Sequence, residues 1–295
     1  MSSILTNNAA MVALQNLKQI NQNLASAQNE ISTGKRISKA QDNSAMWAIS
    51  KVMESDVSGF KAVSTSLALG ESTVAVASTG AERITDLLKE IKEKVVAATG
   101  ENVDHSKIDA DVSELKNQVT AIIKASQFNG TNLLNSPTAL LDKDGNAVTD
   151  DAGNAVMLGG DITILASLDR DQTGSVTASN ITVASVDFED GLDLGTIDVT
   201  SADKADKSLA GIETLIQTAV DGAAALGAST KRIQAQSDFV SKIMDSMKSG
   251  IGAMVDADME EASARLQALQ VQQQLGVQAL GIANKAPQTL LSLFR

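Results

Sequence analysis

The 295-residue sequence predicts a mainly α chain with a small β insertion. The expected form is an elongated rod of long coiled-coil helices, its N- and C-terminal helices paired and a β-rich segment between them. Three observations carry this reading. Apolar residues recur at alternating spacings of three and four through both outer parts of the chain, which keeps one seam facing a partner helix. That period is lost between roughly 137 and 200, where short alternating segments stand among Gly and Asp clusters. Aromatic residues make up only 2%, with two prolines and no cysteine, so the core must be aliphatic and staple-free.

The first apolar run is Ala10, Ala13, Leu17, Ile20, Leu24, Ala27 and Ile31. It stops at Ser32-Thr33-Gly34-Lys35-Arg36, where Gly34 suits a helix C-cap. The pattern returns from Phe60 and Val63 through Leu67, Val74, Ala81, Leu88 and Val95, with Gly100 expected to close that helix. A third run, Ile108, Val112, Leu115, Val119 and Ile122, has Asp104 as its N-cap and Asn129-Gly130 as its expected end. In the central segment, Asp161 to Leu165 and Asn180 to Val183 read as strands. The echo Gly145-Asn146-Ala147-Val148 and Gly153-Asn154-Ala155-Val156 suggests strand ends around a turn. A long run then follows from Leu209 and Ile212 to Val240 and Met247. Gly250-Ile251-Gly252 is the expected break before a last helix with its seam on Val255, Met259, Ala262, Leu266, Leu269, Gln273, Gly276 and Leu280. A second apolar row on that helix, Val271, Leu275 and Ile282, lies off the seam, so the helix is greasy on more than one side. The simplest packing brings the chain ends together and puts the β segment at the opposite end.

Charge is placed unevenly. The net charge is −12, and residues 143–203 alone hold 2 Lys/Arg against 12 Asp/Glu. Nucleic acid is repelled by such a surface, and no basic stripe offsets it. The nearly neutral ends suit contact with protein. No apolar run approaches 18 residues, so no membrane span is expected, and Lys18 is the first positive charge, unlike the basic start of a secretory leader. A single histidine and no cysteine exclude thiol, zinc and haem chemistry, and no cofactor is expected. The calcium-loop-like start at Asp142, Asp144 and Asn146 lacks the following glycine and the closing glutamate. His105 reads as a solvated residue in an interhelix turn, and Trp47 as a core anchor or an interface plug. Glycines such as Gly159-Gly160 form no phosphate loop. The residues describe no enzyme.

At the two ends the residues become specific. Ile31-Ser32-Thr33-Gly34-Lys35-Arg36-Ile37, continuing through Ala40-Gln41-Asp42-Asn43-Ser44-Ala45, resembles the start signature of bacterial flagellins. Gln127-Phe128-Asn129-Gly130 with Leu133-Leu134 is similar to their stretch after the third helix. Ala283-Asn284-Lys285-Ala286-Pro287-Gln288, ending Leu290-Leu291-Ser292-Leu293-Phe294-Arg295, resembles their C-terminus, with Phe294 replacing the usual Leu. The variant Asp42 to Trp47 looks like flagellins of soil alphaproteobacteria. The middle of the chain matches none of these motifs.

The resemblance implies a structural subunit of the extracellular flagellar filament, used for swimming. Residues 1–43 and 255–295 would form its inner coiled-coil layer, 44–136 and 204–254 an outer tube, and 137–203 an acidic β-rich insertion. It implies type III export, with an export chaperone, a filament cap and hook-junction proteins as partners beside the chain itself. Filament-interface residues are then expected at Leu17, Ile20, Leu24, Ile31, Leu266, Leu269, Leu275, Leu280, Leu290, Leu291, Leu293 and Phe294. Host innate immune receptors would meet Lys89, Glu90, Lys92, Glu93 and Lys94, and the stretch 29–50 that holds Arg36 and Asp42. There Gln41, Asn43 and Met46 depart from the family's usual Lys, Asp and Gly, and Glu90 stands where the family shows a base, which favours immune evasion. A hook–filament junction protein is the nearest alternative, and a cytoplasmic coiled-coil scaffold a more distant one. Each buried seam residue contributes about 1.5–3 kcal/mol, against about 1–2 kcal/mol per residue of backbone ordering. Two isolated terminal helices therefore barely break even, and the ends are expected to fold on assembly.

Overall fold

The computed structural model describes residues 7–135, 138–139, 157–158, 160–171 and 173–293, with side chains of 138–139, 157–158 and 286–293 left aside. The helices are α1 (Asn8–Thr33), α2 (Ser44–Ala98), α3 (His105–Ala125), α4 (Phe188–Gly191), α5 (Ala202–Val255) and α6 (Met259–Leu293). The strands are β1 (Gln127–Phe128), β2 (Thr131–Asn132), β3 (Thr138–Ala139), β4 (Met157–Leu158), β5 (Ile162–Arg170) and β6 (Val176–Val183), joined as three antiparallel pairs in sequence order. The chain is thus mainly α with a small β insertion. The calcium-like residues 142–146 and the Gly-Asn-Ala-Val echo lie outside the described residues.

Two compact units are present, Met1–Val57 with Asp245–Arg295, and Ser58–Met244. In the second unit the seam of α2 is buried as its spacing predicts: Val63, Leu67, Val74, Ala81, Ile84, Leu88, Ile91 and Val95 are all excluded from solvent. They meet Val112, Leu115 and Val119 of α3 and Ile212, Ala219, Leu226 and Ile233 of α5, the same heptad read from the other helices. Asp104 caps α3 by accepting the Lys107 amide.

α3 ends at Ala125, four residues before the expected stop. Asn129 and Gly130 instead make the two-residue turn between β1 and β2, both with positive φ, 50° and 83°. That conformation defines the hairpin turn for which Asn-Gly is favoured. The carbonyl of Asn132 accepts no part of this; its side chain does the work, Nδ2 donating to the Ile123 carbonyl at 2.7 Å and Oδ1 accepting from the Leu134 amide at 2.8 Å. Leu133 and Leu134 are thereby driven into the core, and their carbonyls accept from the amides of Val186 and Phe188. Phe188 is fully buried against Gly222 of α5, where a Cβ would collide with its ring.

The β5–β6 hairpin departs from expectation. Rather than standing at the end opposite the chain termini, it lies along α2. Ile164 fills the space over Gly70, Leu168 sits over Gly59, and Ser66 Oγ accepts from the Leu165 amide at 3.2 Å. Gln236 of α5 donates to the Ala166 carbonyl at 2.9 Å. Gly70 makes this possible, since any side chain there meets Ile164. A register shift between Leu165 and Ser167 bends β5 where it crosses the helices.

His105 also differs from the reading as a solvated residue. It is the first residue of α3, half-buried, with Nδ1 3.2 Å from the Val199 carbonyl. Beside it Lys116 donates to the Ile197 carbonyl at 2.6 Å, and burial lowers its pKa. Asp198 is held far below the usual carboxylate range, first by Lys204 at 2.8 Å and then by the Thr200 hydroxyl and amide. These contacts fasten the 197–200 segment to α3 and to the start of α5.

Candidate assembly surface

Within the first unit, α1 packs along α6. Asn7 begins α1 twice over: its Oδ1 accepts from the Ala10 amide, and its Nδ2 donates to the Ala283 carbonyl at 2.8 Å. Gln273 donates to Asn21 at 2.7 Å, and Gly276 lets Leu17 and Ile20 approach closely. The facing residues Ala27, Ala262 and Leu269 are buried. Leu17, Ile20, Leu24, Ile31, Leu266 and Leu280 are half-buried. Most of the expected filament-interface residues therefore already face the partner helix of the same chain. Leu275 differs, 58% exposed. Leu290, Leu291 and Leu293 lie on the described backbone of α6, with Phe294 outside the described residues.

Two elbows join this pair to α2 and α5. Gly34 ends α1 in the left-handed region at φ 67°. The chain then pairs with the other elbow: the Arg36 amide donates to the Val255 carbonyl at 2.8 Å, and the Ala257 amide to the Gly34 carbonyl at 3.0 Å. The expected break at Gly250 to Gly252 is displaced, because α5 continues through both glycines to Val255. A helix can absorb two glycines when flanking residues pack; the stop comes where Asp258 caps α6, accepting from the Glu260 and Glu261 amides. Asp42 accepts from the Lys39 and Ser38 amides, which hold its pKa below the ordinary value. Glu54 is lowered by Lys51 first, then Lys35, 3.3 Å away. Trp47 is half-buried in the first turn of α2.

The outer faces of the pair were not fully legible in one stripe of sequence. Met11, Val12 and Leu14 on α1 and Val271, Leu275, Val277 and Ile282 on α6 are exposed, Ile282 at 73%. The signal was present in Met11-Val12-Ala13-Leu14, where consecutive apolar residues exceed the width of a single seam. Two grooves run along this surface. One, of 490 Å³, lies between the helices and is lined by Ala9, Ala13, Gly276, Ala279 and Ala283 among others. The second, of 470 Å³, lies on the flank of α1 between Leu14, Leu17, Lys18, Asn21, Gln22 and Ala25. From Leu266 to Asn284, α6 carries no charge at all. Such a surface binds apolar side chains of another protein; it has nothing with which to perform catalysis. Among the described residues no cluster of His, Cys, Asp and Glu could hold a metal, and no helix is long and apolar enough to cross a membrane.

The residues expected to meet immune receptors are split between the units. Arg36 and Asp42 belong to the first, Arg36 donating to the Met254 carbonyl at 3.2 Å. Lys89, Glu90, Lys92, Glu93 and Lys94 lie on α2 in the second. Lys92 reaches Glu213 of α5 at 2.5 Å and Lys94 reaches Asp111 of α3 at 2.7 Å, the latter raising the Lys94 pKa. Lys89 pairs with Asp86 on its own helix. Three lysines are thus engaged in ion pairs, two of them bridging helices, while Glu90 and Glu93 stand exposed.

Comparison with known proteins fits this surface. Residues 4–138 match the model of the bacterial flagellin N-terminal helical region, and residues 209–294 that of the C-terminal helical region. A flagellin of Brucella melitensis is 39% identical over 303 residues, each chain covered in full. Flagellin FljM of Caulobacter vibrioides is 37% identical, covering all of this chain and 99% of its own. Flagellin C of Rhizobium meliloti is 36% identical with both chains fully covered. Joined by two matched helical regions, full-length relatives and paired terminal helices with uncovered apolar faces, the chain belongs to the bacterial flagellin family and is a structural subunit of the flagellar filament.

Proposed function

We propose that the terminal helix pair forms the inner layer of the filament, with residues 1–43 and 255–295 contributing its two halves. Residues 44–136 and 204–254 then form a surrounding tube, and 137–203 an acidic outer insertion. The single observation that carries this is the uncharged, exposed face of α6 from Leu266 to Asn284. A helix apolar on both its inner and its outer side needs cover from another molecule. Contacts between unlike patches on successive copies do not close and generate an open helical polymer. The expected interface residues extend along Leu17 to Ile31, Leu266 to Leu280, and on to Leu290, Leu291, Leu293 and Phe294.

The absence of cysteine suits a chain exported unfolded and assembled outside the cell. Export would involve a chaperone on the C-terminal helix, and addition would occur under a cap, beyond hook-junction proteins. Host receptors would read α2 weakly, because Lys92 and Lys94 are tied to neighbouring helices and Glu90 presents acid. Receptor activation by purified monomer tests this last point; strong activation at low dose contradicts it. Deleting Leu290 to Arg295 tests the inner-layer model. Polymerisation should be lost while the heat-unfolding transition of the second unit persists, whereas filaments of normal length from the truncated chain would refute it.

A further inference from the structure

The structure points to a specific heterologous contact, resting on the filament-subunit reading above: we propose that the back row of α6, Val271, Leu275, Gln278 and Ile282, seats in the flank groove of α1 of a second copy of this chain. Residues of α6 that face its own α1 are Leu269, Gln273, Gly276 and Leu280, spaced four, three and four. At about 100° per residue, the row 271, 275, 278, 282 falls on the opposite side of the helix. Val271, Leu275 and Ile282 are all more than half exposed there.

The groove on α1 follows the same spacing. Leu14, Lys18, Asn21 and Ala25 are separated by four, three and four residues and line its 470 Å³ volume. Both rows cover eleven residues, about 16 Å at 1.5 Å per residue. An eleven-residue recurrence gives about 3.67 residues per turn, so each row runs nearly straight. The spacing reads identically in either direction. Since α1 and α6 are antiparallel in the chain, copies stacked with one polarity also present them antiparallel. Ile282 then meets Leu14, Gln278 meets Lys18, Leu275 meets the Asn21 step and Val271 meets Ala25. The single cation of the groove faces the single amide of the row, and the bulkiest apolar residues face each other. Each α6 is covered on one side by its own α1 and on the other by the next copy's.

The chain has no cysteine, so introduced pairs report without background. The double variant Lys18→Cys with Gln278→Cys is assembled into filaments, oxidised and dissociated under non-reducing conditions. A ladder of covalent oligomers is expected from filaments. No intramolecular bridge is expected from monomer, because Cys pairs need Cα atoms within about 7 Å and these two positions face apart. Filaments that form yet give no ladder, or give as many oligomers from Lys18→Cys alone, overturn the contact while leaving the subunit reading intact. Hydroxyl-radical footprinting of unmodified filaments provides an arm free of substitutions. Leu14, Leu275 and Ile282 should lose reactivity together on assembly; Ile282 or Leu14 remaining as reactive as in monomer contradicts the proposal. Failure of the unmodified chain to form filaments at all overturns the subunit reading itself.

Discussion

Asn132 shows how much one side chain can hold. It is 7% exposed and supplies both a donor and an acceptor to backbone groups that have no other described partner in their place, the Ile123 carbonyl and the Leu134 amide. Asn132→Ala leaves both unsatisfied in the core and should destabilise the monomer by about 2 kcal/mol in urea denaturation. Gly70 works by absence. Gly70→Val forces Ile164 from its place over α2 and should cost about 1–3 kcal/mol by the same measurement, as overpacking does. Asp42 sets a pH dependence at the first elbow. Its folded pKa lies below its unfolded value of about 3.9, so its contribution is complete above that pH and is lost as pH falls through the folded value. Amides of Ser38 and Lys39 should therefore exchange faster as pH is lowered below about 4, relative to the intrinsic rate, and Asp42→Asn should remove that dependence.

At the scale of elements, helices were the legible part. A seam such as Val63, Leu67, Val74, Ala81, Leu88 and Val95 states its own burial, because the three-four spacing admits only one facing side. Caps at Gly34 and Asp104 could be read for the same local reason. Breaks governed by tertiary context could not. Gly250 and Gly252 look like a stop, yet α5 runs through them, and the true signal was Asp258 two residues before an acidic turn. Asp258→Ala should fray the start of α6, costing about 1 kcal/mol and weakening protection of the Glu260 and Glu261 amides. The resting place of β5–β6 on α2 was equally hidden: it depends on Gly59 and Gly70, glycines inside a helical pattern whose packing partner lies about 100 residues away. The expected interface list was half legible. It identified the inner seam, while the outer face at Met11, Val12 and Leu14 required knowing that α6 already covers Leu17, Ile20 and Leu24.

For the whole molecule, the chain concentrates its stability and its stickiness in different places. The second unit buries a continuous aliphatic core between α2, α3 and α5. The paired terminal helices bury little beyond Ala27, Ala262 and Leu269 and leave a long uncharged surface open. Copies of the chain are the natural cover for it, and the nearly uncharged ends offer no repulsion to oppose stacking. Amide hydrogen exchange compared between monomer and filament measures this directly. The account predicts that α1 and α6 exchange quickly in the monomer, while α2 and α3 are already protected, and that both terminal helices become strongly protected in filaments. Equal protection of α1 and α6 in the isolated monomer would contradict it.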